Sequence, residues 1–538
     1  MKIEFYGAAR TVTGSCHMLN FAGGKLLVDC GMRQGADAKG AYGEGTFPFD
    51  PKEIDAVLLT HAHIDHSGLL PLLTKQGFSG KILCTEATAQ LATILLPDSA
   101  HIQQQDAEWQ TRKNLRAGKP PVEPLYTLED AQNALKLFHG VHYMETIQLL
   151  PDIQVRLMDA GHLLGSAAVE VWVREEGKST KVVFSGDVGR GDRPIIRDPQ
   201  HIGEADYLVL ESTYGNRNHP LTTNADKEEE LAGVIRTALA RGGNLVIPSF
   251  AVGRTQELLY YIKRLLQKNI LPELQGVPVY IDSPLGINAT KIYERCAEGY
   301  YDEEAAEMAK DGSPFDFPTL HVAQTADESK LINDTKGRKI IISSSGMCDA
   351  GRIRHHLKHN LYRADSTILF AGYQAMGTLG RTLIDGAQKV RLFGEDVRVN
   401  AAIVQIEGFS GHAGKDELVS WVENMSPRPR RIFLVHGEEA ALQSLAEALR
   451  ERHYDIAIPN LGEGFALAAE GSEKTFAARP DAQDISTKAY GYQAREEIRR
   501  MEDLLTTAEK RRSPDMALKM KILEADLKAL ADKWDALL

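Results

Sequence analysis

The sequence predicts an α/β fold that contains a parallel-sheet α/β domain and ends in a helical C-terminal tail. Two changes of pattern along the chain support this prediction. Residues 1 to about 210 alternate short apolar strands with turns and helices, whereas residues 211–390 alternate continuous apolar strands with longer helical stretches. The predicted boundaries are therefore 1–210 for the first region, 211–390 for the parallel-sheet domain, 391–470 for the region after it and 471–538 for the tail.

A dense cluster of possible metal ligands follows one predicted strand of the first region. Residues 55–60 form a short apolar run that is typical of a buried strand. It leads directly into a loop that carries His61, His63, Asp65 and His66, and then into the start of a helix. Zinc binds imidazole and carboxylate groups readily, so this loop indicates a metal site.

Three later segments offer further donors, which a two-metal centre requires. Each carries a donor beside a glycine after an apolar stretch: His162 in Asp159-Ala160-Gly161-His162, Asp187 in Ser185-Gly186-Asp187, and His436 in Leu434-Val435-His436-Gly437. An isolated histidine is more often a hydrogen-bonded core residue than a ligand. Together with the first cluster, however, these segments indicate a dinuclear site.

In order and context these elements resemble the metallo-β-lactamase superfamily, whose signature is a strand-borne Asp, an HxHxDH loop, and then a His, an Asp and a last His. The matching residues are Asp29, His61, His63, Asp65, His66, His162, Asp187 and His436. Glu211, His412 and His436 further resemble the three additional motifs of the β-CASP group, the nucleic-acid-processing branch. The resemblance covers about residues 1 to 465. It implies that residues 1–210 and 391–470 form the two parts of an αββα sandwich and that residues 211–390 are a β-CASP domain inserted into it.

The resemblance implies two zinc ions per chain. His61, His63 and His162 would hold one ion, Asp65, His66 and His436 would hold the other, and Asp187 would bridge them. Two such ions lie ~3.5–4 Å apart, lower the pKa of a shared water toward ~7 and clamp the attacking and leaving oxygens. Manganese or iron also bind oxygen and imidazole donors, so the sequence leaves the identity of the metal open.

Three residues are candidates for roles beside the metal. A leaving ribose oxygen needs a proton, and a carboxylate such as Glu211 would keep the imidazole of His412 protonated for that task. We therefore interpret His412 as the general acid and Glu211 as the group that positions and charges it. Asp29, on its strand before a glycine, is interpreted as a group that orients a ligand histidine or the water, with a turn-forming role as the alternative.

Two strand-to-helix loops of the predicted insert are candidate phosphate contacts. One precedes the helix that begins near Arg254, and the other contains Ser344 and Ser345. Backbone N–H groups at a helix start bind anions, and an arginine can add a bidentate contact. Arg254, Ser344 and Ser345 are therefore predicted to bind substrate, although ordinary turns look similar in sequence. The neighbouring His355 and His356 are predicted to lie on a solvated helix face.

Composition limits the possible settings of this site. The chain has 538 residues, a net charge of −12 and five scattered cysteines without CxxC spacing. This length suggests more than one domain, and the cysteine pattern favours a reducing, cytoplasmic compartment. We expect no membrane association, because no apolar run is long enough to cross a bilayer and the first residues are typical of a strand rather than a signal peptide. The negative charge opposes general attraction to nucleic acid, so positive charge would have to be local.

The expected function is that of a zinc-dependent ribonuclease that hydrolyses phosphodiester bonds in single-stranded RNA endonucleolytically. In the β-CASP group a His as the last motif, here His436, is associated with RNA rather than DNA. One alternative is a metallo-hydrolase of a small ester or thioester, and the insert with Glu211 and His412 argues against it. The other is a non-catalytic RNA-binding scaffold, which the occupation of every ligand position disfavours.

The predicted tail contains a heptad pattern. Ser513 and Pro514 are a good helix start, since serine caps helices and proline suits the first turn. Beyond them apolar residues recur in alternating steps of four and three: Met516, Met520, Leu523, Leu527, Leu530, Trp534 and Leu537. This helix is expected either to dock on its own catalytic body or to form a homodimer.

Overall fold

The computed structural model describes residues 1–33, 45–219, 223–406 and 408–467. Up to residue 210 the chain alternates strands with turns and helices, as the sequence predicts. The strands are β1 (Lys2–Phe5), β2 (His17–Phe21), β3 (Gly24–Val28), β4 (Ala56–Leu58), β5 (Lys81–Thr85), β6 (Phe138–Val141), β7 (Thr146–Leu150), β8 (Ile153–Asp159), β9 (Ala167–Glu175), β10 (Lys178–Phe184) and β11 (Tyr207–Leu210). The helices are α1 (Ile64–Ser67), α2 (Leu70–Lys75), α3 (Glu86–Arg116) and α4 (Leu128–Leu135).

The next segment alternates helices and strands. Its helices are α5 (Asn224–Ala240), α6 (Arg254–Gln267), α7 (Pro284–Arg295), α8 (Glu303–Lys310), α9 (Ala326–Asp334), α10 (Ile353–Asn360) and α11 (Leu379–Ile384). Its strands are β12 (Leu245–Pro248), β13 (Val279–Asp282), β14 (Leu320–Val322), β15 (Ile340–Ser343), β16 (Thr367–Ala371), β17 (Lys389–Leu392), β18 (Glu395–Arg398) and β19 (Ala402–Ile406). The chain then forms α12 (Lys415–Glu423), β20 (Arg431–Leu434), α13 (Glu439–Glu451), β21 (Ile456–Ala457) and β22 (Gly464–Ala466).

Two seven-stranded sheets form the centre of a sandwich. Their strand orders are β22-β1-β2-β3-β4-β5-β6 and β21-β20-β11-β10-β9-β8-β7. One apolar cluster joins both sheets, and within it the rings of Phe5 and Phe433 lie 5.3 Å apart. Because side chains alternate across a strand, the other faces pack against helices: α12 and α13 cover the second sheet and α2 covers the first. The predicted αββα sandwich is confirmed.

The insert forms a six-stranded parallel sheet in the order β14-β13-β15-β12-β16-β19. The four strands predicted from the sequence are β12, β13, β15 and β16, and most of their residues are buried, as expected for a sheet covered on both faces. The sheet continues past residue 390, the predicted end of the insert, because β19 pairs with β16 and extends it to Ile406. β19 lies at the edge of this sheet, where it is only partly buried.

Two further expectations concern the described residues. Within them, no helix has the length and apolar character needed to span a bilayer. His356 does not lie on a solvated face: it is fully buried, and its Nε2 lies 2.6 Å from Asp282 Oδ2. Successive helix residues point about 100° apart, so exposure of His355 says nothing about the burial of His356.

The predicted tail helix from Ser513 lies outside the described residues.

Candidate metal centre

The strand directions bring the predicted donors to one edge of the sandwich. β10, β11 and β20 are parallel neighbours, and β8 points the same way because both β8 and β10 run antiparallel to β9. In the facing sheet β3 and β4 are also parallel. The loops at the carboxyl ends of these strands carry Asp29, His61, His63, His162, Asp187, Glu211 and His436. Residues from all parts of the sandwich therefore meet in one place.

The HxHxDH segment has a fixed local shape. His61 and His63 lie on the loop after β4, whereas Asp65 and His66 belong to the short helix α1. The Ser67 hydroxyl donates to the carbonyl oxygens of Ala62 and His63, at 2.9 and 3.0 Å. The turn of helix thus points the second pair of donors in a different direction from the first pair.

One group of four donors consists of His61, His63, His162 and Asp187, whose ligand atoms lie within 4.8 Å of one another. His63 Nδ1 lies 3.1 Å from His61 Nε2 and 3.3 Å from His162 Nε2. Asp187 Oδ2 lies 3.5 Å from His61 Nε2 and 3.6 Å from His162 Nε2. These four atoms surround a common point.

A second group consists of Asp65, His66 and His436. His436 Nε2 lies 3.2 Å from His66 Nε2 and 3.6 Å from Asp65 Oδ2. The other oxygen of Asp187, Oδ1, lies 3.3 Å from His66 Nε2. The two oxygens of Asp187 therefore face different donor groups, which is the arrangement expected of a bridging carboxylate.

The donors fit a metal in both spacing and chemistry. Ligands held about 2.1 Å from a tetrahedral ion lie roughly 3.4 Å from each other, close to the separations in both groups. Asp187 is 2% exposed, and its Oδ1 has no hydrogen-bond partner among the described residues. A buried carboxylate oxygen that lacks a hydrogen bond is costly unless nearby positive charge balances it. Both groups are therefore suited to hold cations.

Electrostatics divides the histidines in the same way. Burial lowers the pKa of His61, His63 and His162, which keeps the imidazoles neutral and able to donate a lone pair. For His66, burial acts against the charged form, but Asp187 and Asp29 attract it and raise its pKa well above the ordinary value. The surroundings of the second group are thus more negative than those of the first group.

Neighbouring groups hold the ligands in orientation. Asp29 accepts hydrogen bonds from the Thr60 N–H (2.8 Å) and hydroxyl (3.0 Å), and its Oδ2 lies 2.7 Å from His66 Nδ1. His436 Nδ1 lies 3.1 Å from the Thr213 hydroxyl, and His162 Nδ1 lies 3.1 Å from the Gly411 carbonyl oxygen. In each case the partner fixes one ring nitrogen and directs the other toward the donor group.

Glu211 and His412 form a pair beside the first donor group. Glu211 is fully buried, and it accepts hydrogen bonds from the backbone N–H groups of Val188 (2.7 Å) and Thr213 (3.1 Å). His412 Nδ1 lies 3.1 Å from Glu211 Oε1. Burial opposes the charged imidazole, but the attraction of Glu211 and Asp187 outweighs it and raises the pKa of His412 to about 10. The pair can hold a proton near the metal centre.

A buried ion pair that the sequence did not reveal connects the insert to this centre. Glu257, on α6 of the insert, pairs with Arg193. Arg193 also donates to the carbonyl oxygen of His162, a candidate ligand, and to that of Gly411, which precedes the candidate acid His412. Arg193 lies in a loop without a motif, so only the spatial contact identifies it.

The predicted phosphate contacts lie in the insert, and each has a protein partner. Arg254, at the start of α6, pairs with Glu257 and lies 5.2 Å from the Phe409 ring centroid. The Ser344 hydroxyl contacts that of Ser283, and the Ser345 hydroxyl donates to the Ala350 carbonyl oxygen at 3.2 Å. Their contact with phosphate stays a prediction.

An αββα sandwich whose strand ends bring together His and Asp donors in this way defines a class, the metallo-hydrolases of the β-lactamase fold. Family models agree with that class: the metallo-β-lactamase superfamily matches residues 9–145, the Beta-Casp domain matches 255–383, and the Zn-dependent metallo-hydrolase RNA specificity domain matches 396–459. The chain belongs to the β-CASP group of the metallo-β-lactamase superfamily.

Several curated proteins are similar over most of this chain. The chain is 36% identical to Ribonuclease TTHA0252 of Thermus thermophilus, over 86% of this chain and 99% of that protein. It is 30% identical to Transcription termination factor FttA of Methanosarcina mazei, over 84% and 69%, and 31% identical to an RNase J-like protein of Methanocaldococcus jannaschii, over 83% and 94%. A crystal structure of a protein of unknown function from Enterococcus faecalis shares the fold, with a TM-score of 0.50 and 13% identity over 87% of this chain and 99% of that chain.

Proposed function

We propose that this chain is a ribonuclease that uses two zinc ions to hydrolyse phosphodiester bonds within single-stranded RNA. The observation that carries the proposal is the placement of Asp187, whose two oxygens face two separate groups of His and Asp donors. His61, His63 and His162 would hold one ion, and Asp65, His66 and His436 would hold the other. Zinc is the metal in the name of the matching RNA specificity domain, and it suits these donors.

Each residue has a distinct task in this proposal. When bound, the two cations activate a water and stabilise the charge that develops on the phosphate oxygens. His412 holds a proton for the leaving ribose oxygen, and Glu211 fixes its Nδ1 so that Nε2 is the nitrogen that serves the substrate. Asp29 holds His66 in orientation through a 2.7 Å contact. Burial of the donors excludes bulk water, which strengthens each electrostatic interaction.

RNA as the substrate is supported by names and by local charge. The RNA specificity domain matches residues 396–459, and two of the similar proteins are named as a ribonuclease and an RNase J-like protein. The net charge of −12 opposes binding of a polyanion. Arginines near His412 and its loop add local positive charge, although two of them, Arg193 and Arg254, share the carboxylate of Glu257. The four are Arg190, Arg193, Arg217 and Arg254.

The proposal predicts which substrates are cleaved. Labelled single-stranded RNA, DNA of the same sequence and a small thioester are each incubated with the zinc-loaded protein, with and without chelator. We expect cleavage of RNA only, and loss of that cleavage when the metal is removed. A circular RNA has no ends, so its linearisation tests endonucleolytic cleavage. Hydrolysis of the thioester alone, or RNA binding without cleavage, would contradict the proposal.

Replacing Arg254 tests its predicted contact with phosphate. Arg254→Ala should weaken RNA binding and reduce the salt dependence of the binding constant by about one phosphate contact. Arg254→Lys is the matched control, because it retains the charge but loses the fork geometry. Cleavage and RNA affinity that stay at the wild-type level across a range of salt concentrations would remove Arg254 from the binding site.

A homodimer through the tail helix and a cytoplasmic location complete the proposal. All five cysteines are buried and form no disulfide, which supports a reducing compartment. For the dimer, residues 512–538 are deleted and the molar mass is measured by light scattering. We expect the mass to fall from that of two chains to that of one. An unchanged mass would exclude a tail-mediated dimer and favour docking of the helix on its own chain.

A further inference from the structure

A stack of aromatic and cationic side chains leads from His412 to the protein surface. The centroids of the Tyr214 and His412 rings lie 5.8 Å apart. The Arg217 guanidinium lies 4.0 Å from the Tyr214 ring centroid and 5.0 Å from that of Tyr373. Tyr373 is 43% exposed, so its ring forms the solvent-facing end of the stack. Two side chains, Tyr214 and Arg217, thus separate the surface ring from the candidate acid.

A second exposed aromatic side chain lies in an adjoining loop. Tyr373 follows β16, and Phe250 follows the neighbouring strand β12 and is 49% exposed. A Cβ atom placed on Gly346 would lie 3.0 Å from the Phe250 ring, and the Gln374 side chain donates to the Gly346 carbonyl oxygen at 3.1 Å. The loops after three adjacent parallel strands therefore meet here. We call Phe250 and Tyr373 the aromatic shelf.

The charge and geometry of this region match one kind of ligand. Exposed apolar side chains that lie together and are bordered by polar groups mark interaction sites. An unpaired nucleobase presents a flat π-face to such a ring, and the positive Arg217 beside Tyr373 suits the phosphate attached to it. A base within a duplex has both faces covered by its neighbours, so a stacking ring admits only an unpaired one.

We propose that the aromatic shelf binds an unpaired nucleobase close to the scissile linkage, with Tyr373 as the principal stacking ring. This inference rests on the proposed ribonuclease function and adds a physical reason for a preference for single strands. Stacking accepts all four bases, because each has a π-face. The shelf therefore selects strandedness rather than sequence.

The test combines protein variants with RNA that lacks single bases. Tyr373→Ala removes the ring and Tyr373→Phe retains it. Tyr362→Ala is the matched control, because Tyr362 is 55% exposed but precedes β16 and so lies toward the opposite end of that strand. The substrates are a single-stranded RNA and a series in which one nucleotide near the cleaved linkage is abasic. Binding of a phosphorothioate RNA, which resists hydrolysis, is measured by fluorescence anisotropy with zinc-loaded protein, and cleavage is measured separately.

We expect Tyr373→Ala to weaken RNA binding about tenfold, the scale of one lost stacking contact. Tyr373→Phe and Tyr362→Ala should bind within about twofold of the wild-type protein, on the same scale. For one position of the abasic site, the wild-type protein should bind the abasic RNA about tenfold more weakly than it binds intact RNA. Tyr373→Ala should bind that abasic RNA and intact RNA equally well. This non-additivity would not arise if the substitution merely disturbed Arg217 or His412.

Two results would overturn the inference: wild-type affinity in Tyr373→Ala, or equal losses for both proteins at every abasic position. Because binding is measured apart from cleavage, failure of the proposed function gives a different pattern. RNA that binds with the expected dependence on Tyr373 but is never cleaved would remove the ribonuclease proposal and leave the shelf in place.

Discussion

Asp187→Ala is expected to lose bound metal at both donor groups and to lower kcat/KM for RNA by at least about 10³-fold. The physical reason is that a single carboxylate faces both groups, with Oδ2 3.5 Å from His61 Nε2 and Oδ1 3.3 Å from His66 Nε2. Removing it leaves His61, His63 and His162 without an anionic ligand and deprives the second group of its shared oxygen. Elemental analysis of carefully purified, zinc-reconstituted protein measures the loss.

Two comparisons make this result specific. Asp152→Ala changes an exposed carboxylate in the turn between β7 and β8, and it should retain both the metal and the activity. The wild-type protein should contain close to two zinc ions per chain. Fewer than one firmly bound ion in reconstituted wild-type protein would refute the two-ion centre, and full zinc content in Asp187→Ala would refute the bridging role.

His412→Ala is expected to retain its zinc and to lose about 10²–10⁴-fold in the rate of RNA hydrolysis, the range typical of a lost general acid. His412 is not one of the ligands proposed for the two ions, although it forms a third cluster with Asp187 and Glu211, and its Nδ1 lies 3.1 Å from Glu211 Oε1. Its removal should therefore spare metal binding and remove the proton for the leaving oxygen. Single-turnover cleavage of RNA together with elemental analysis separates the two effects.

A change of leaving group sharpens this test. A p-nitrophenyl leaving group does not need protonation. The loss of cleavage rate caused by His412→Ala should therefore be much smaller for a p-nitrophenyl phosphodiester than for RNA. Glu211→Gln keeps a hydrogen-bond acceptor but removes the charge, and we expect a smaller loss than in His412→Ala. If His412→Ala instead loses metal together with activity, the roles assigned to His412 and His436 must be exchanged.

The fold and the candidate donors could be predicted from the sequence, and the structure brings those donors close to one another. The continuous apolar strands of the insert appear as β12, β13, β15 and β16, and the spaced His and Asp residues lie at strand ends that the sheet directions bring together. Features that depend on long-range pairing were missed. Among the described residues the partly exposed strand β19 joins its sheet through β16, and the burial of His356 becomes apparent from its contact with Asp282.

The same limit applies to contacts between separate segments. Arg193 and Glu257 are 64 positions apart, and neither belongs to a motif. Tyr373 is an ordinary aromatic residue until its position beside Arg217 is known. A single sequence gives the chemistry of each side chain but not the neighbour that determines its use.

The buried pair between Arg193 and Glu257 limits which substitutions the protein tolerates at these two positions. Breaking a buried pair by removing one partner costs about 3–5 kcal/mol, and removal of Glu257 would leave Arg254 as well as Arg193 without its carboxylate. Arg193 donates to the backbone of His162 and Gly411. A substitution at Glu257, in the insert, would therefore alter the reaction centre in the sandwich. The sandwich and the insert are thus expected to change together at Arg193 and Glu257, even where the surfaces of the two domains diverge in sequence.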